Sequence, residues 1–422
     1  MNRSLVSVYD NNFRRTGFTY AGATEANTYD NDGLLVGSGL FTITRNSGNG
    51  LPQAVAGGAL SLSRTFNTFG ELAGQQFTVQ GANPQGWTLG RDNSGRITSK
   101  TETVDGASNN YTYTYDSLGR LRTDTQDGVL VEEHRYDAAG NRTWEKNTRR
   151  GFLGRAYEFD AEDRLTLAGN RYYQYDDDGC LTTETAGGSV TQYAYSALGE
   201  LKSVTLPSGT LIEYVYDPLG RRIAKKVNGV ITEKYLWESK TRLLAVYDGN
   251  NNRTMRFRYA DDRMPFHMNK NGTSYYLGYD QVGSLRTVSN SAGVVVKRVD
   301  YDSFGNVLSD SDPAFTVPFG FAGGLYDTQT KLTLFGSRDY NAFLGRWMSK
   351  EPLMFKGPDV NLYAYCANDP INLVDPSGEG WVGSLAMGLS HAAHASFTLG
   401  IAMTAIGLAF SFSPTLAVII SI

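Results

Sequence analysis

The side chains that could do chemistry are concentrated between Pro318 and Gly378, where acids, arginines and aromatics form motifs that occur only once in the chain. A segment so rich in Asn, Asp, Pro and Gly cannot form a long helix, because these residues favour turns and compete with helical hydrogen bonds. On residue type alone, we expect Asp339 to be a turn acceptor and Glu351 to be a solvated carboxylate. The motifs that carry the acids are Arg338-Asp339-Tyr340, Glu351-Pro352 and Asp375-Pro376-Ser377-Gly378.

The order of the motifs in this segment resembles the core that closes the Rhs, or YD-repeat, family of bacterial polymorphic toxins. Toxin-complex proteins and teneurin-type YD shells are related to this family. The resemblance rests on three stretches read in order, FAGGLYD, RDYNAFLGRW and NLYAYCANDPINLVDPSG. It implies a spiralling shell of β-hairpins that is closed by a repeat-associated core. It also implies an aspartyl-type autoprotease that cuts the chain just after the DPxG motif and frees a C-terminal payload.

The same resemblance implies which residues would carry out the cleavage. Asp339 is the first acid, Glu351 stands at the position of the second, and Arg338 would hold the ionised partner or polarise the scissile carbonyl. Two close carboxyl groups suit peptide hydrolysis because they cannot both ionise easily, so one stays protonated while the other activates water. Glu351 replaces an Asp of the family, and its extra methylene displaces the carboxyl group by about 1.5 Å.

The predicted cleavage site consists of Gly378, Glu379 and Gly380, with Glu379–Gly380 or its neighbour as the scissile bond. Glu379 stands where the family has Leu, so the site lacks its usual apolar residue. The changes at Glu351 and Glu379 leave two alternatives open. The core is either an active autoprotease or a structural plug.

No other group of residues in the sequence predicts a catalytic or metal site. His391 and His394 lie three residues apart, but no carboxylate lies near them and the chain has only two other histidines. Cys180 and Cys366 are too few for a disulfide framework or a four-thiolate site. We expect neither a cofactor nor a bound metal.

Upstream of the core the chain is repetitive, and these repeats must position the core. Each repeat has a strand that ends in Tyr-Asp, then two residues and Gly, and neighbouring copies recur about every 20 residues. The Asp accepts hydrogen bonds from the amides of the turn, and the Gly takes a positive φ. A second turn within each period makes the repeat a β-hairpin. The best copies begin at Tyr115, Tyr136, Tyr216 and Tyr301.

Alternation within the strands predicts how the hairpins assemble. Tyr111, Tyr113 and Tyr115 fall on one face of a strand, with threonines on the other. Because one hairpin is not stable alone, the hairpins would stack side by side into a continuous curved sheet. The sequence therefore predicts an all-β protein. Its regions are degenerate repeats at 1–108, a YD-repeat shell segment at 109–307, the core at 318–378 and a variable C-terminal region at 379–422.

The C-terminal region differs in composition from the repeats. No charged residue follows Glu379, and residues 397–422 are apolar over a length that could cross a bilayer as a helix, although Pro414 would kink or break that helix. The alternatives are a membrane-anchored or membrane-active tip, an apolar peptide packed inside the shell, and the start of a longer payload.

Charge and the N-terminal sequence limit the partners and the location. The net charge is −4, and no Lys/Arg cluster is interleaved with aromatics, which argues against nucleic-acid binding. The first residues, MNRSLVSVYDNNFRR, lack the apolar core of a signal peptide. The resemblance implies secretion or surface display by a specialised route that is independent of the Sec pathway.

Three classes of function are consistent with these observations. The first is a carrier shell whose partners are its own C-terminal payload, an N-terminal shell or plug, and a secretion machine. The second is a cell-surface protein that binds carbohydrate or a neighbouring partner through rows of exposed tyrosine. The third is a membrane effector that acts through residues 397–422. The resemblance favours the carrier.

Overall fold

The computed structural model of the protein describes residues 5–357 and 359–383, and this part of the chain is built almost entirely from β-strands. The all-β class predicted from the sequence is confirmed. The predicted helical tail lies outside the described residues. Within those ranges no helix has the length and apolarity needed to span a bilayer.

The first thirty strands form one antiparallel meander, in which each strand pairs with the next strand along the chain. This order is the one expected of hairpins stacked side by side. The strands are β1 (Val6–Tyr9), β2 (Arg15–Tyr20), β3 (Ala23–Tyr29), β4 (Leu35–Ser38), β5 (Phe41–Arg45), β6 (Pro52–Gly57), β7 (Leu60–Phe66), β8 (Leu72–Val79), β9 (Ala82–Arg91), β10 (Ile97–Val104), β11 (Ala107–Tyr115), β12 (Leu121–Gln126), β13 (Val129–Tyr136), β14 (Arg142–Asn147), β15 (Phe152–Phe159), β16 (Leu165–Ala168), β17 (Arg171–Tyr175), β18 (Leu181–Ala186), β19 (Ser189–Tyr195), β20 (Leu201–Thr205), β21 (Leu211–Tyr216), β22 (Arg222–Val227), β23 (Val230–Trp237), β24 (Leu243–Asp248), β25 (Arg253–Arg258), β26 (His267–Lys270), β27 (Thr273–Tyr279), β28 (Leu285–Asn290), β29 (Val295–Tyr301) and β30 (Val307–Asp310).

The core segment after the meander has short strands and tight turns, as its composition predicts. One small antiparallel sheet contains β31 (Leu325–Tyr326), β32 (Leu332–Phe335), β33 (Arg338–Asn341) and β34 (Arg346–Trp347). Beyond it, β35 (Leu373–Val374) pairs with β36 (Val382–Gly383). The described residues also include short 3-10 helices at Thr148–Arg150, Phe321–Gly323, Met354–Lys356 and Cys366–Asn368.

The Tyr-Asp turns are built as the sequence predicts. In the turn after β11, Asp116 Oδ1 accepts hydrogen bonds from the amides of Leu118 at 2.9 Å and Arg120 at 3.0 Å, and Gly119 has a φ of +84°. The faint copies near the N-terminus form the same side-chain contacts. There the acceptors are Asp30, Asn67 and Asp92.

In several repeats the tyrosine that precedes the turn links neighbouring repeats. Its hydroxyl donates a hydrogen bond to a backbone carbonyl at the start of a strand one repeat earlier, where water has little access. The tyrosine therefore connects neighbouring hairpins through a hydrogen bond and also contributes to packing. Examples are Tyr115 to the Ile97 oxygen at 2.5 Å, Tyr136 to Leu121 at 2.7 Å and Tyr216 to Leu201 at 3.0 Å.

Replacing Tyr136 with phenylalanine should lower the free energy of unfolding by about 1 kcal/mol, because the Leu121 carbonyl loses its hydroxyl partner. Burial raises the pKa of Tyr136, so the hydroxyl remains a donor throughout the neutral range. Urea unfolding followed by circular dichroism measures the change. The matched control is Tyr172→Phe, a side chain that is 61% exposed, which should leave stability unchanged. Equal free energies of unfolding for the two variants would contradict a stabilising role of the Tyr136 hydroxyl.

The meander curls so that its early strands pack over its late strands. The Tyr20 hydroxyl donates to the Phe257 oxygen at 2.6 Å, and the Trp87 indole donates to the Tyr279 oxygen at 3.1 Å. An apolar cluster fills the space between the two parts of the sheet, and burial of its side chains stabilises the curl. The cluster includes Phe41, Leu62, Phe77, Leu244, Phe257 and Leu277.

The core segment packs against the strands in the middle of the meander. Asn372 Oδ1 accepts from the Ile97 amide at 2.7 Å, and the Tyr363 hydroxyl donates to the Gly179 oxygen at 2.8 Å. Arg142 of β14 donates to the Leu344 oxygen at 2.6 Å. The segment has an aromatic centre of its own that contains Phe335, Tyr340, Trp347 and Tyr365. It therefore holds β33 and the residues after it in a fixed position against the repeats.

Candidate functional site

Strand β33 separates the two residues that the resemblance places side by side in the active site. Arg338 and Asp339 are consecutive in an antiparallel strand, so their side chains point to opposite faces. The Arg338 guanidinium stacks over the Trp347 ring at 4.1 Å. This stacking fixes the direction of its donors toward the end of the described chain.

Arg338 brings together two acids and the predicted cleavage site. Its Nη2 lies 2.5 Å from Glu351 Oε2 and 3.2 Å from Asp375 Oδ2. Its Nε donates to the Gly378 oxygen at 2.7 Å. Of the residues predicted from the sequence, the structure thus places Arg338, Glu351 and Gly378 in one cluster. Asp375 joins them, and the sequence interpretation did not assign it a catalytic role.

Asp339 lies on the other face of β33, where it contacts a shell residue. Both of its carboxyl oxygens accept from Arg222 Nη2 of β22, at 3.0 and 2.9 Å. Burial raises the pKa of Asp339, and the Arg222 guanidinium opposes that rise. The carboxyl group of Asp339 is therefore engaged by the repeats, whereas Glu351 is engaged by Arg338. The catalytic role of Asp339 stays a prediction.

The peptide bond that joins Gly378 to Glu379 is held at both of its polar atoms. Arg338 donates to the carbonyl oxygen, and the Glu379 amide donates to Asp375 Oδ1 at 3.2 Å. Gly378 has a φ of +65°, and a Cβ there would lie 2.4 Å from the Phe335 oxygen, so only glycine fits. The bond at this site is therefore Gly378–Glu379, which neighbours the Glu379–Gly380 bond named from the sequence.

We call the Gly378–Glu379 bond the junction. A small cavity beside it is lined by Glu351, Asp375 and Arg338, and by Gly380 and Trp381, which follow the junction. Asp359 lines the same cavity as a third acid, and the sequence interpretation missed it. One of its oxygens accepts from the Asn361 amide at 3.1 Å. Burial raises the pKa of Asp359, so its carboxyl group holds a proton more readily than an exposed aspartate.

The electrostatics of the site suit hydrolysis of a peptide bond. Burial raises the pKa of Glu351, and Arg338 opposes the rise only in part, so the Glu351 carboxylate is a stronger base than an exposed glutamate. Burial lowers the pKa of Arg338, while Glu351 and Asp375 oppose that change. A guanidinium bonded to a carbonyl oxygen stabilises the negative charge that develops there when water attacks.

Of the other candidate residues, Cys366 lines the same cavity, Cys180 lies apart from it, and the rest lie outside the described ranges. Across 5–357 and 359–383, no three His, Cys, Asp or Glu side chains form a metal-binding group. Cys180 and Cys366 are buried free thiols. His391 and His394 lie outside the described residues, as do residues 397–422.

Comparison with known proteins identifies the repeat. The family model described as the teneurin YD-shell matches residues 1–371. Teneurin-4 of Mus musculus is 27% identical over 332 residues, which cover 76% of this chain and 12% of that protein. The tRNA3(Ser)-specific nuclease WapA of Bacillus spizizenii is 29% identical over 276 residues, covering 64% of this chain and 12% of WapA. The chain thus spans about an eighth of the length of these relatives.

Solved structures show the same fold. The Photorhabdus luminescens Tc holotoxin pore with mutated TccC3 matches with a TM-score of 0.69 and 18% identity, over 89% of this chain and 21% of that chain. The complex of TcdB2, TccC3 and Cdc42 matches with a TM-score of 0.64 and 17% identity, over 91% and 22%. Because the family model covers most of its length, the chain belongs to the teneurin YD-shell family, the group of Rhs and YD-repeat proteins that its motifs resemble.

Proposed function

We propose that this protein is the closing part of a YD-repeat carrier shell, which holds the chain beyond Gly378 and cuts it at the Gly378–Glu379 bond. The observation that carries the proposal is the arrangement around Arg338. One guanidinium contacts Glu351, Asp375 and the Gly378 oxygen. A buried pair of acids and a carbonyl donor at one peptide bond are the groups that hydrolysis requires.

The carrier part of the proposal is supported by the fold and by the relatives. The core segment is anchored to strands from β10 to β22, so the residues after Gly378 start from a fixed point. WapA is named as a tRNA nuclease, and the TccC3 structures are those of a toxin. By analogy, the region that begins at Glu379 would be or would lead into an effector, released from a secreted or surface-displayed shell.

The cleavage would proceed by attack of water on the carbonyl carbon of Gly378. Glu351 takes a proton from the water while Arg338 stabilises the charge on the carbonyl oxygen. Asp375 Oδ1 accepts from the Glu379 amide and holds the leaving nitrogen, and the proton taken by Glu351 passes to that nitrogen as the C–N bond breaks. The products are a carboxyl group on Gly378 and an amino group on Glu379.

The contact between Glu351 and Arg338 bears on the change from Asp to Glu at this position. The Glu351 carboxyl group reaches Arg338 Nη2 at 2.5 Å, and its amide donates to the Leu362 oxygen at 3.0 Å. The longer side chain therefore places its carboxyl group against the same guanidinium that contacts the Gly378 oxygen. This supports an active site despite the extra methylene.

Glu351→Gln and Asp375→Asn should each slow self-cleavage by about 100-fold or more, because the first removes the proton-transfer group and the second removes the charged acceptor that holds the leaving nitrogen. The rate is measured as the appearance of a fragment that ends at Gly378, by mass spectrometry at fixed pH. Glu213→Gln, in a partly exposed pair with Lys226, is the matched control and should cut like the unchanged protein. Cleavage of either active-site variant at the control rate would refute the assignment.

The two other function classes have less support. The carbohydrate alternative needs rows of exposed tyrosine, but repeat tyrosines such as Tyr113, Tyr193 and Tyr214 are buried. These buried positions give that alternative less support. The membrane alternative depends on residues 397–422, which lie outside the described part of the chain. The carrier is the function that the described residues support best.

A further inference from the structure

The side chain of Glu379 is held by two residues that the proposed cleavage does not use. Its Oε1 accepts from the Ser337 hydroxyl at 2.6 Å and from Lys240 Nζ at 2.9 Å. Lys240 also donates to the Ser337 hydroxyl oxygen at 3.1 Å, so the three groups form a closed triangle. Lys240 lies in the turn between β23 and β24, far upstream in the chain, whereas Ser337 immediately precedes β33.

We propose that Lys240 and Ser337 form a subsite that selects an acidic residue at position 379. The inference rests on the proposed cleavage, because it names the side chain that the same site accepts next to the cut bond. Both are positioning residues, since neither touches the carbonyl or the nitrogen of that bond. They act through the placement of Glu379.

The chemistry of the subsite matches a glutamate. Burial alone would raise the pKa of Glu379, but the hydrogen bonds from Ser337 and Lys240 outweigh it and the pKa lies below its ordinary value. The carboxylate is therefore charged at neutral pH beside a cation and a hydroxyl donor. A leucine at 379 would remove the acceptor that Ser337 and Lys240 share, and a lysine would repel Lys240.

The subsite connects a hairpin of the repeats to the Gly378–Glu379 bond of the core. Ser337 also donates its amide to the Ser377 oxygen at 2.8 Å, and Arg338 holds the Gly378 oxygen. Lys240 is contributed by a repeat hairpin, so the subsite is complete only when this hairpin and the core are both folded and in contact. Glu379 would therefore be held in its position beside the Gly378–Glu379 bond only when the repeats and the core are assembled.

Protection of Glu379 from a glutamate-specific protease tests the subsite apart from self-cleavage. The protein carries Glu351→Gln so that the chain stays whole, and mass spectrometry monitors the cut after Glu379. Lys240→Gln should raise the rate of that cut by about threefold at low salt, as expected for a partly exposed ion pair. Because salt screens such pairs, the difference should vanish at about 0.5 M NaCl.

Lys226→Gln is the matched control, because Lys226 forms an ion pair with Glu213 in the repeats and does not contact the junction. It should leave the cut after Glu379 unchanged. A Lys240→Gln rate equal to that of this control at low salt would overturn the subsite, whether or not the chain cleaves itself.

A charge exchange tests selection at the proposed cleavage site. In the chain with Glu351 intact, Glu379→Lys should slow self-cleavage, and adding Lys240→Glu should restore most of the rate. Failure of the second change to restore any rate would overturn selection by Lys240. If the unchanged chain never cleaves, the proposed function fails, while the protease experiment still decides whether the subsite exists.

Discussion

Replacing Arg222 with methionine should lower the free energy of unfolding by about 3–5 kcal/mol, because it would leave Asp339 buried without a cation. The two side chains are 2% and 4% exposed, and both Asp339 oxygens contact the same Arg222 nitrogen. This pair joins β22 of the shell to β33 of the core. We therefore expect the largest loss of stability among the polar variants at this contact.

Urea unfolding measures the effect of Arg222→Met, and Arg122→Met is the matched control. Arg122 is 50% exposed and lies 3.8 Å from Glu133, so its loss should cost less than about 1 kcal/mol. Adding Asp339→Leu to Arg222→Met should recover much of the stability, since the unpaired charge is removed as well. A loss below about 1 kcal/mol for Arg222→Met would contradict the buried pair.

Replacing Arg338 with methionine should slow self-cleavage by about 100- to 1000-fold, the cost of losing a donor to the developing oxyanion. Methionine keeps an unbranched chain over Trp347 but cannot bond Gly378, Glu351 or Asp375. The rate is the appearance of the fragment that ends at Gly378, compared at equal folded fraction by circular dichroism. Arg346→Met removes a buried arginine that contacts Asn141 instead of the junction, and it serves as the control.

Cleavage by Arg338→Met within tenfold of the unchanged protein would remove Arg338 from the proposed chemistry. In the same assay, Asp339→Asn distinguishes a structural role of Asp339 in the contact with Arg222 from a catalytic role in the cleavage. Cleavage at the normal rate in its folded fraction would assign Asp339 to the contact with Arg222. Complete loss of cleavage in a folded Asp339→Asn protein would support the catalytic role predicted from the sequence.

The repeats could be predicted from the sequence because their signals are local. In each Tyr-Asp turn, the aspartate and the glycine that shape it lie within four residues, as Asp116 and Gly119 show. Even Asn67, in the degenerate region, forms the same contacts with the amides just after it. The all-β class and the hairpin meander are direct consequences of such turns.

The partners of the acids could not be predicted, because they depend on how distant segments pack. Asp375 reaches Glu351 only through Arg338, and Lys240 reaches Glu379 only when a repeat hairpin contacts the core. The sequence held one local indication of which residue faces the Gly378–Glu379 bond. If the stretch around Arg338 and Asp339 is a strand, these two side chains must point to opposite faces, so only one of them can face the junction.

We propose that the shell cuts the chain at Gly378–Glu379 and keeps the C-terminal fragment bound. Mass spectrometry of the freshly purified protein, under denaturing and native conditions, measures both properties. We expect two denatured species, residues 1–378 and 379–422, that remain together in one native complex. A single denatured mass for all 422 residues after long incubation would contradict the cleavage and leave the core as a structural plug.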